Sequence, residues 1–323
     1  MGIATTVRNW LLGSTAEARA ATRRFWQAGR AAGLSWQRRL HGHVYARWPY
    51  AYIGSAIGER RELRRYLPLM APWLALALFP KRWGASYHGK VLPTEQATRL
   101  VQIREPVEVA LSEQVIPFET ARDLILVDPD HIVALDCPCR VARREPCLPL
   151  DVCLIVGEPF ASFVLGHHPE RARAISPKEA AAILVAEADR GHVHHAFFKD
   201  AMLGRFYAIC NCCSCCCGAM SAHRSGTPML ISSGYVAQVT PEACQRCGLC
   251  VERCPFGALT LDGALCVDEE ACMGCGVCVR ACPSHALALA RHPAKPEPLL
   301  ISELAPPREM ALALAFDGGE PVE

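Results

Sequence analysis

The sequence predicts an α+β protein with a mainly helical N-terminal region, a mixed cysteine-rich middle domain and a small repeated unit near the C-terminus. Three observations point there. Apolar residues recur at helical spacing over residues 14–48. In the middle of the chain, the capped helix "SPKEAAAILVAEADRG" accompanies the buried-strand pattern "HIVALDC". Near the end, two cysteine runs of one form, starting twenty-eight residues apart, flank the hairpin signal "TLDGAL".

The N-terminal reading rests on Ala18, Ala21, Phe25, Ala32, Trp36, Leu40 and Val44, spaced by three, four or seven, with Arg19, Arg23 and Arg30 on another face. Ser14 with Glu17 reads as a capping box, and Gly29, Gly33 and Gly42 leave room for two helices rather than one. Further on, "YLPLMAPWLALALFP" carries no charge over fifteen residues. It falls short of the roughly twenty that a spanning helix needs, and Pro68, Pro72 and Pro80 interrupt it.

A net charge of +2 conceals an asymmetry: residues 1–90 hold fifteen Lys or Arg against three acids, so the rest of the chain is acidic. All six tryptophans lie in that first segment. Residues 1–90 are therefore expected to form a basic, Trp-rich helical docking region. Its partner would be an anionic membrane surface, a membrane-bound subunit or another redox protein, with a strap inside the protein core as the plain alternative. Nucleic acid is not expected, since no module that reads it is present.

Nineteen cysteines in a short secreted chain would imply disulfides. Here no cleavable signal pattern is seen, and "TRRFW" lacks the apolar run of a twin-arginine signal, since Arg30, Arg38 and Arg39 follow. The expectation is a cytoplasmic protein, or one peripheral on the inner face of the cytoplasmic membrane, whose thiols serve metal. "GASYHGK" is followed by Val91 instead of Ser or Thr, and Pro93 comes soon after, so it reads as a loop and not a phosphate-binding motif.

Residues 91–236 are expected to form a cysteine-rich α/β domain, with helices over 94–103 and 118–126 and a third one capped by Ser176, begun by Pro177, supported by Glu179 and stopped at Gly191. Cys137, Cys139, Cys147 and Cys153 follow the form C-x-C-x7-C-x5-C, stiffened by Pro138, Pro146 and Pro149 and accompanied by Arg140, Arg143 and Arg144. Cysteines one residue apart point to opposite sides of an extended chain, so Cys137 and Cys139 serve different sites unless a turn brings them together. "CNCCSCCC" then supplies Cys210, Cys212, Cys213, Cys215, Cys216 and Cys217. No single cube can use six thiolates from eight residues. One or two further iron–sulfur clusters shared between the two groups is the preferred reading, with zinc or a thiol or persulfide redox site as alternatives. His192, His194 and His195 in "GHVHH", and His167 and His168 upstream, read as polar helix-end residues before ligands.

Residues 237–292 contain the strongest signal. "CQRCGLCVERCP" starts at Cys244 and "CMGCGVCVRACP" at Cys272. In such runs three thiolates wrap one corner of a cube while the fourth, before proline, serves the other cube. One cluster would take Cys244, Cys247, Cys250 and Cys282, and the other Cys272, Cys275, Cys278 and Cys254. Cys266 falls outside the motif and is expected as a buried thiol. This segment resembles the two-[4Fe–4S] bacterial ferredoxin domain, which implies a pseudo-twofold α+β fold and one-electron transfer. Together with "CPCR", "GHVHH" and "ICNCCSCCC", residues 115–292 also resemble a poorly characterised family of multi-cluster ferredoxin-type proteins of anaerobic bacteria. That wider resemblance implies nothing beyond electron transfer. Residues 293–323 form a proline-rich tail.

Two functions follow as expectations. The first is an iron–sulfur electron carrier or redox subunit, passing single electrons through two [4Fe–4S] clusters and one or two more in the middle domain. The second is a reductase with a cluster or dithiol active centre at Cys210–Cys217, fed by the ferredoxin repeat. A metal store or scaffold is a third.

Overall fold

A computed structural model of the chain describes residues 9–57, 87–117 and 123–304. The apolar stretch between Arg65 and Lys81 lies outside them, as do residues 118–122 and most of the tail. Among the described residues no helix is long and apolar enough to cross a membrane.

The N-terminal pattern resolves into α1 (Ala16–Ala31), α2 (Trp36–Arg47) and α3 (Pro49–Ile57). Thr15, one residue later than expected, caps α1 by accepting a hydrogen bond from Ala18 N at 3.1 Å. Both neighbouring hydroxyls suit the role, and the extended backbone at Thr15 decides between them. Gly33, at φ +69°, breaks the helix, and Ser35 caps the next one. The break also resets the helical phase. Ala18, Ala21 and Phe25 are buried as read, whereas Ala32 and Trp36 are exposed and α2 buries Gly42, His43, Tyr45 and Ala46 instead.

The next elements build an eight-stranded sheet. Its strands are β1 (Tyr87–Leu92), β2 (Val107–Ala110), β3 (Asp123–Leu135), β4 (Cys153–Glu158), β5 (Ala172–Ile175), β6 (Val193–Lys199), β7 (Arg205–Cys212) and β8 (Leu230–Ile231). The order is β2-β3-β4-β7-β6-β1-β8, with β5 also paired to β3. Between them run α4 (Thr94–Leu100), α5 (Pro138–Val141), α6 (Phe160–His167), α7 (Pro177–Asp189) and α8 (Gly218–Arg224). Ser176 caps α7 as expected, accepting from Glu179 N at 3.1 Å.

Both faces of the sheet are covered, so its strands read as apolar runs whose alternate residues serve two separate cores. Val133, Leu135, Cys153, Ile155, Phe197 and Tyr207 face one core together with Phe25, Tyr45, Tyr52, Phe160 and Phe163 from the helices. Ile132, Ala134, Leu154, Val156, Phe198 and Phe206 face the other, against Leu100 and Leu184. Three sequence expectations change here. Residues 123–126, read as helix, belong to β3, where Leu124 and Leu126 are buried at a period of two. Tyr87–Lys90, read as loop, lies in β1 and pairs antiparallel with β6. His194 and His195 sit in the buried strand β6 and not at a helix end. In each case pairing with a distant strand, which no local pattern encodes, decides the outcome.

At the C-terminal end, β9 (Tyr235–Val239) pairs antiparallel with β12 (Leu287–Arg291), while β10 (Leu259–Asp262) and β11 (Ala264–Val267) form the expected hairpin around Gly263, at φ +67°. Helices α9 (Leu249–Arg253) and α10 (Val277–Ala281) carry the middle of each cysteine run. A short α11 (Ile301–Leu304) follows. These strands and helices enclose a third, smaller core.

Candidate metal centres

The C-terminal repeat is a repeat of backbone as well as of residues. Left-handed φ occurs at Arg246, Gly248 and Gly257, and again at Gly274, Gly276 and His285, each position displaced by twenty-eight. These bends curl each run so that its thiols converge. Cys244, Cys247, Cys250 and Cys282 line one cavity, and Cys254, Cys272, Cys275 and Cys278 line another. The fourth cysteine of each run thus joins the other run's three, the crossed grouping read from the spacing.

Backbone amides point at these sulfurs in matching places. Ala258 N donates to Cys254 Sγ and Ala286 N to Cys282 Sγ, both at 3.3 Å, and Ala237 N donates to Cys272 Sγ at 3.4 Å. Such donors suit thiolates that share a negatively charged group. Leucines close both cavities, Leu261, Leu265 and Leu287 on one side and Leu259 and Leu289 on the other. Four converging thiols, amide donors and an apolar lining fit an iron–sulfur cluster at each site. Cys266, expected to be buried, is exposed on β11, because that edge of the hairpin faces outward.

The second cavity touches the sheet domain. Met273 and Val277 belong to the same core as Cys137, Cys153, Cys212 and Cys217, with Cys275 and Phe256 packed against it. Ser233 fastens the contact: its amide donates to Met273 O at 3.1 Å and its hydroxyl to Gly274 O at 2.7 Å. Phe256 also meets His223 of α8 edge to face, with ring centroids 6.1 Å apart.

The ten cysteines of the middle region meet in space but divide in two. Six of them, Cys137, Cys139, Cys153, Cys210, Cys212 and Cys217, line a mainly apolar cavity of about 100 Å³. Cys153 and Cys210 lie 4.0 Å apart, and Cys217 and Cys212 3.2 Å apart. The turn of α5 lets Cys137 and Cys139 face the same space, the one exception allowed by the extended-chain argument. Cys213 also reaches this cavity, yet its thiol belongs with Cys147, Cys215 and Cys216, and the sulfurs of these four all lie within 4.8 Å of one another. A hydrogen bond with Cys139, aided by burial, pushes the Cys137 thiol up to about 12. A metal that binds there has to displace protons.

The three arginines beside the first cysteine group take different places. Arg140 lines the six-thiol cavity and forms a buried ion pair with Glu187, Arg143 donates to Cys216 O, and Arg144 is exposed. Of the histidines, His167 bonds Thr22 at 2.8 Å and His168 bonds Ala46 O at 2.9 Å, tying α6 to the N-terminal helices. His192 contacts Glu187, and His194 contacts Asn211, each at 2.6 Å. His195 sits opposite Cys210 in the β6–β7 register and is fully buried.

Lys199 was not anticipated. Its ammonium lies 4.6 Å from the ring centres of both Tyr45 and Tyr87 and 5.7 Å from that of Tyr52, at the wall of the six-thiol cavity. Burial pulls its pKa down to about 7, and Tyr45 and Tyr207 share a hydrogen bond of 2.9 Å beside it. The only hint in the sequence is a lysine ending the apolar run "HHAFFK".

No curated protein matches the chain. The family model of the 4Fe-4S dicluster domain matches residues 243–286, and this segment is a ferredoxin-type iron–sulfur domain.

Proposed function

We propose that the protein is an iron–sulfur electron carrier in which residues 237–292 hold two [4Fe–4S] clusters and the six-thiol cavity holds a third. The observation that carries this reading is the pair of four-cysteine cavities built on a twenty-eight-residue backbone repeat, within the segment that matches a dicluster domain. Cys244, Cys247, Cys250 and Cys282 would ligate the outer cluster, and Cys254, Cys272, Cys275 and Cys278 the inner one. When bound, such clusters supply reversible one-electron redox chemistry.

The chain's own residues set direction and environment. Met273, Val277 and Phe256 put the inner site against the core that also holds Cys137, Cys153, Cys212 and Cys217, which favours transfer between those two centres. Amides at Ala237, Ala258 and Ala286 stabilise the added negative charge and raise the potential. Lys199 and its tyrosines would do the same for the middle site. The basic N-terminal segment, with thirteen of its fifteen cations arginine, suits a redox partner or an anionic membrane surface.

A reductase with its active centre in the six-thiol cavity is the second reading. It is favoured by the enclosed Lys199, which at a pKa of about 7 can hold or release a proton beside the thiols. Strictly anaerobic protein separates the readings. About twelve iron and twelve acid-labile sulfide per chain support the three-cluster carrier, since each cube contributes four of each. Eight of each would remove the middle cluster and leave the cavity to thiol chemistry.

A further inference from the structure

Cys147, Cys213, Cys215 and Cys216 form a group of a different size from every other cysteine set in the chain. Their four sulfurs lie within 4.8 Å of one another, with Cys147 and Cys215 at 2.9 Å and Cys215 and Cys216 at 3.6 Å. Among the described residues no three cysteines of either ferredoxin site, or of the six-thiol cavity, draw together that closely. The tighter spacing of this quartet points to a smaller occupant.

Four thiolates about 2.3 Å from one tetrahedral ion lie about 3.8 Å from each other. That spacing falls within the range found here. A cube instead keeps an iron and sulfide body between its thiolates, each radiating from its own corner, and four sulfurs this close leave no space for it. We infer that this quartet binds a single zinc ion. Four protein ligands complete a closed tetrahedral site, the arrangement of structural zinc.

The surroundings suit the resulting charge. Four thiolates and one divalent cation leave two negative charges. Arg143 donates to Cys216 O at 3.3 and 3.2 Å and to Ile57 O at 3.0 Å, and Arg224 donates to Ser214 O at 2.7 Å. Two guanidinium groups therefore hold the ligand loop while offsetting its charge. Zinc is redox-inert, so this site lies outside any electron path. It pins the Cys137–Cys153 loop to the end of β7, and with it the two sides of the six-thiol cavity. The inference stands whether or not that cavity holds a cluster.

The test uses the full chain purified anaerobically, with zinc, iron and sulfide measured together. One zinc per chain is expected, with X-ray absorption at the zinc edge showing four sulfur neighbours at about 2.3 Å. Cys215→Ser and Cys147→Ser should each lose that zinc while acid-labile sulfide per chain stays unchanged. Absence of zinc from the unaltered protein would overturn the assignment, as would zinc with nitrogen or oxygen neighbours. A loss of about four sulfide in Cys215→Ser would overturn it in favour of a cube. The absorption measurement on the unaltered chain decides the matter even if both variants fail to fold.

Discussion

Arg140 Nη2 and Glu187 Oε2 meet at 2.6 Å, with each side chain only 1 % exposed. The pair joins the turn between Cys137 and Cys147 to the C-terminal end of α7, which also reaches the ferredoxin domain through Asp189 with Arg280 and through Arg190 O with Arg253. Removing one partner leaves a buried charge uncompensated, which costs about 3–5 kcal/mol. Glu187→Leu should therefore destabilise the protein by about that amount. In Arg140→Met with Glu187→Leu no charge is stranded, but Asn211 O and Pro149 O lose a donor, worth about 1–3 kcal/mol each. The double variant is expected to be more stable than Glu187→Leu alone. A denaturant series on Arg140→Met, Glu187→Leu and the double variant measures the coupling, and additive losses would show that the two groups do not act as a pair.

The same carboxylate predicts a pH dependence. Burial alone would raise the pKa of Glu187, but His192 and Arg140 outweigh it and hold the group below its ordinary value of 4.5. A carboxylate with a depressed folded pKa stabilises the native state fully above the unfolded value. That contribution disappears as pH falls through the folded value. The stability difference between the unaltered protein and Glu187→Gln should be constant from pH 7 to 5 and shrink below about 4.5. A difference that grew on acidification would reverse the sign and reject the assignment.

Cys266 offers a simpler check on the ligand sets. It is exposed on β11, outside every thiol group described above. Cys266→Ser should keep all iron and sulfide and fold as before. On the loaded protein, Cys266 should be the first thiol to react with an alkylating reagent, because ligation protects the others. Iron lost on that substitution would mean that a ligand has been misplaced.

What could be read from sequence follows the range of the interactions involved. The ferredoxin-type segment was legible because its eight cysteines lie within one doubled motif, and the two cavities bring Cys254 and Cys282 each to the other run's three cysteines. The capped α7 was legible for the same local reason. The division of the middle cysteines was not, since Cys147 joins Cys213, Cys215 and Cys216 only after β4 and β7 pair, bringing residue 147 next to residue 215. The Lys199 cage likewise draws Tyr45, Tyr52 and Tyr87 from two N-terminal helices and a strand. Tyr45 and Tyr52 come from the basic N-terminal segment and are buried in the sheet domain's own core.

The backbone repeat itself can be tested by one pair of substitutions. Gly248 and Gly274 both have left-handed φ, +77° and +63°, so alanine at either position is strained by roughly 1–2 kcal/mol. Their surroundings differ. A Cβ on Gly248 would find nothing nearer than Leu261 Cδ2 at 4.0 Å, whereas on Gly274 it would lie 2.2 Å from Tyr235 O and 2.3 Å from Ser233 Oγ. The first is backbone, and Ser233 is the residue that fastens the inner site to the sheet, so neither can give way cheaply. Gly274→Ala should cost more than about 4 kcal/mol, the range in which a named steric cause is required. It should also release the inner cluster, lowering iron by about four per chain. Gly248→Ala should keep its iron and lose only the strain energy. Equal iron contents in the two variants would show that the Ser233–Gly274 contact does not hold the inner site in place.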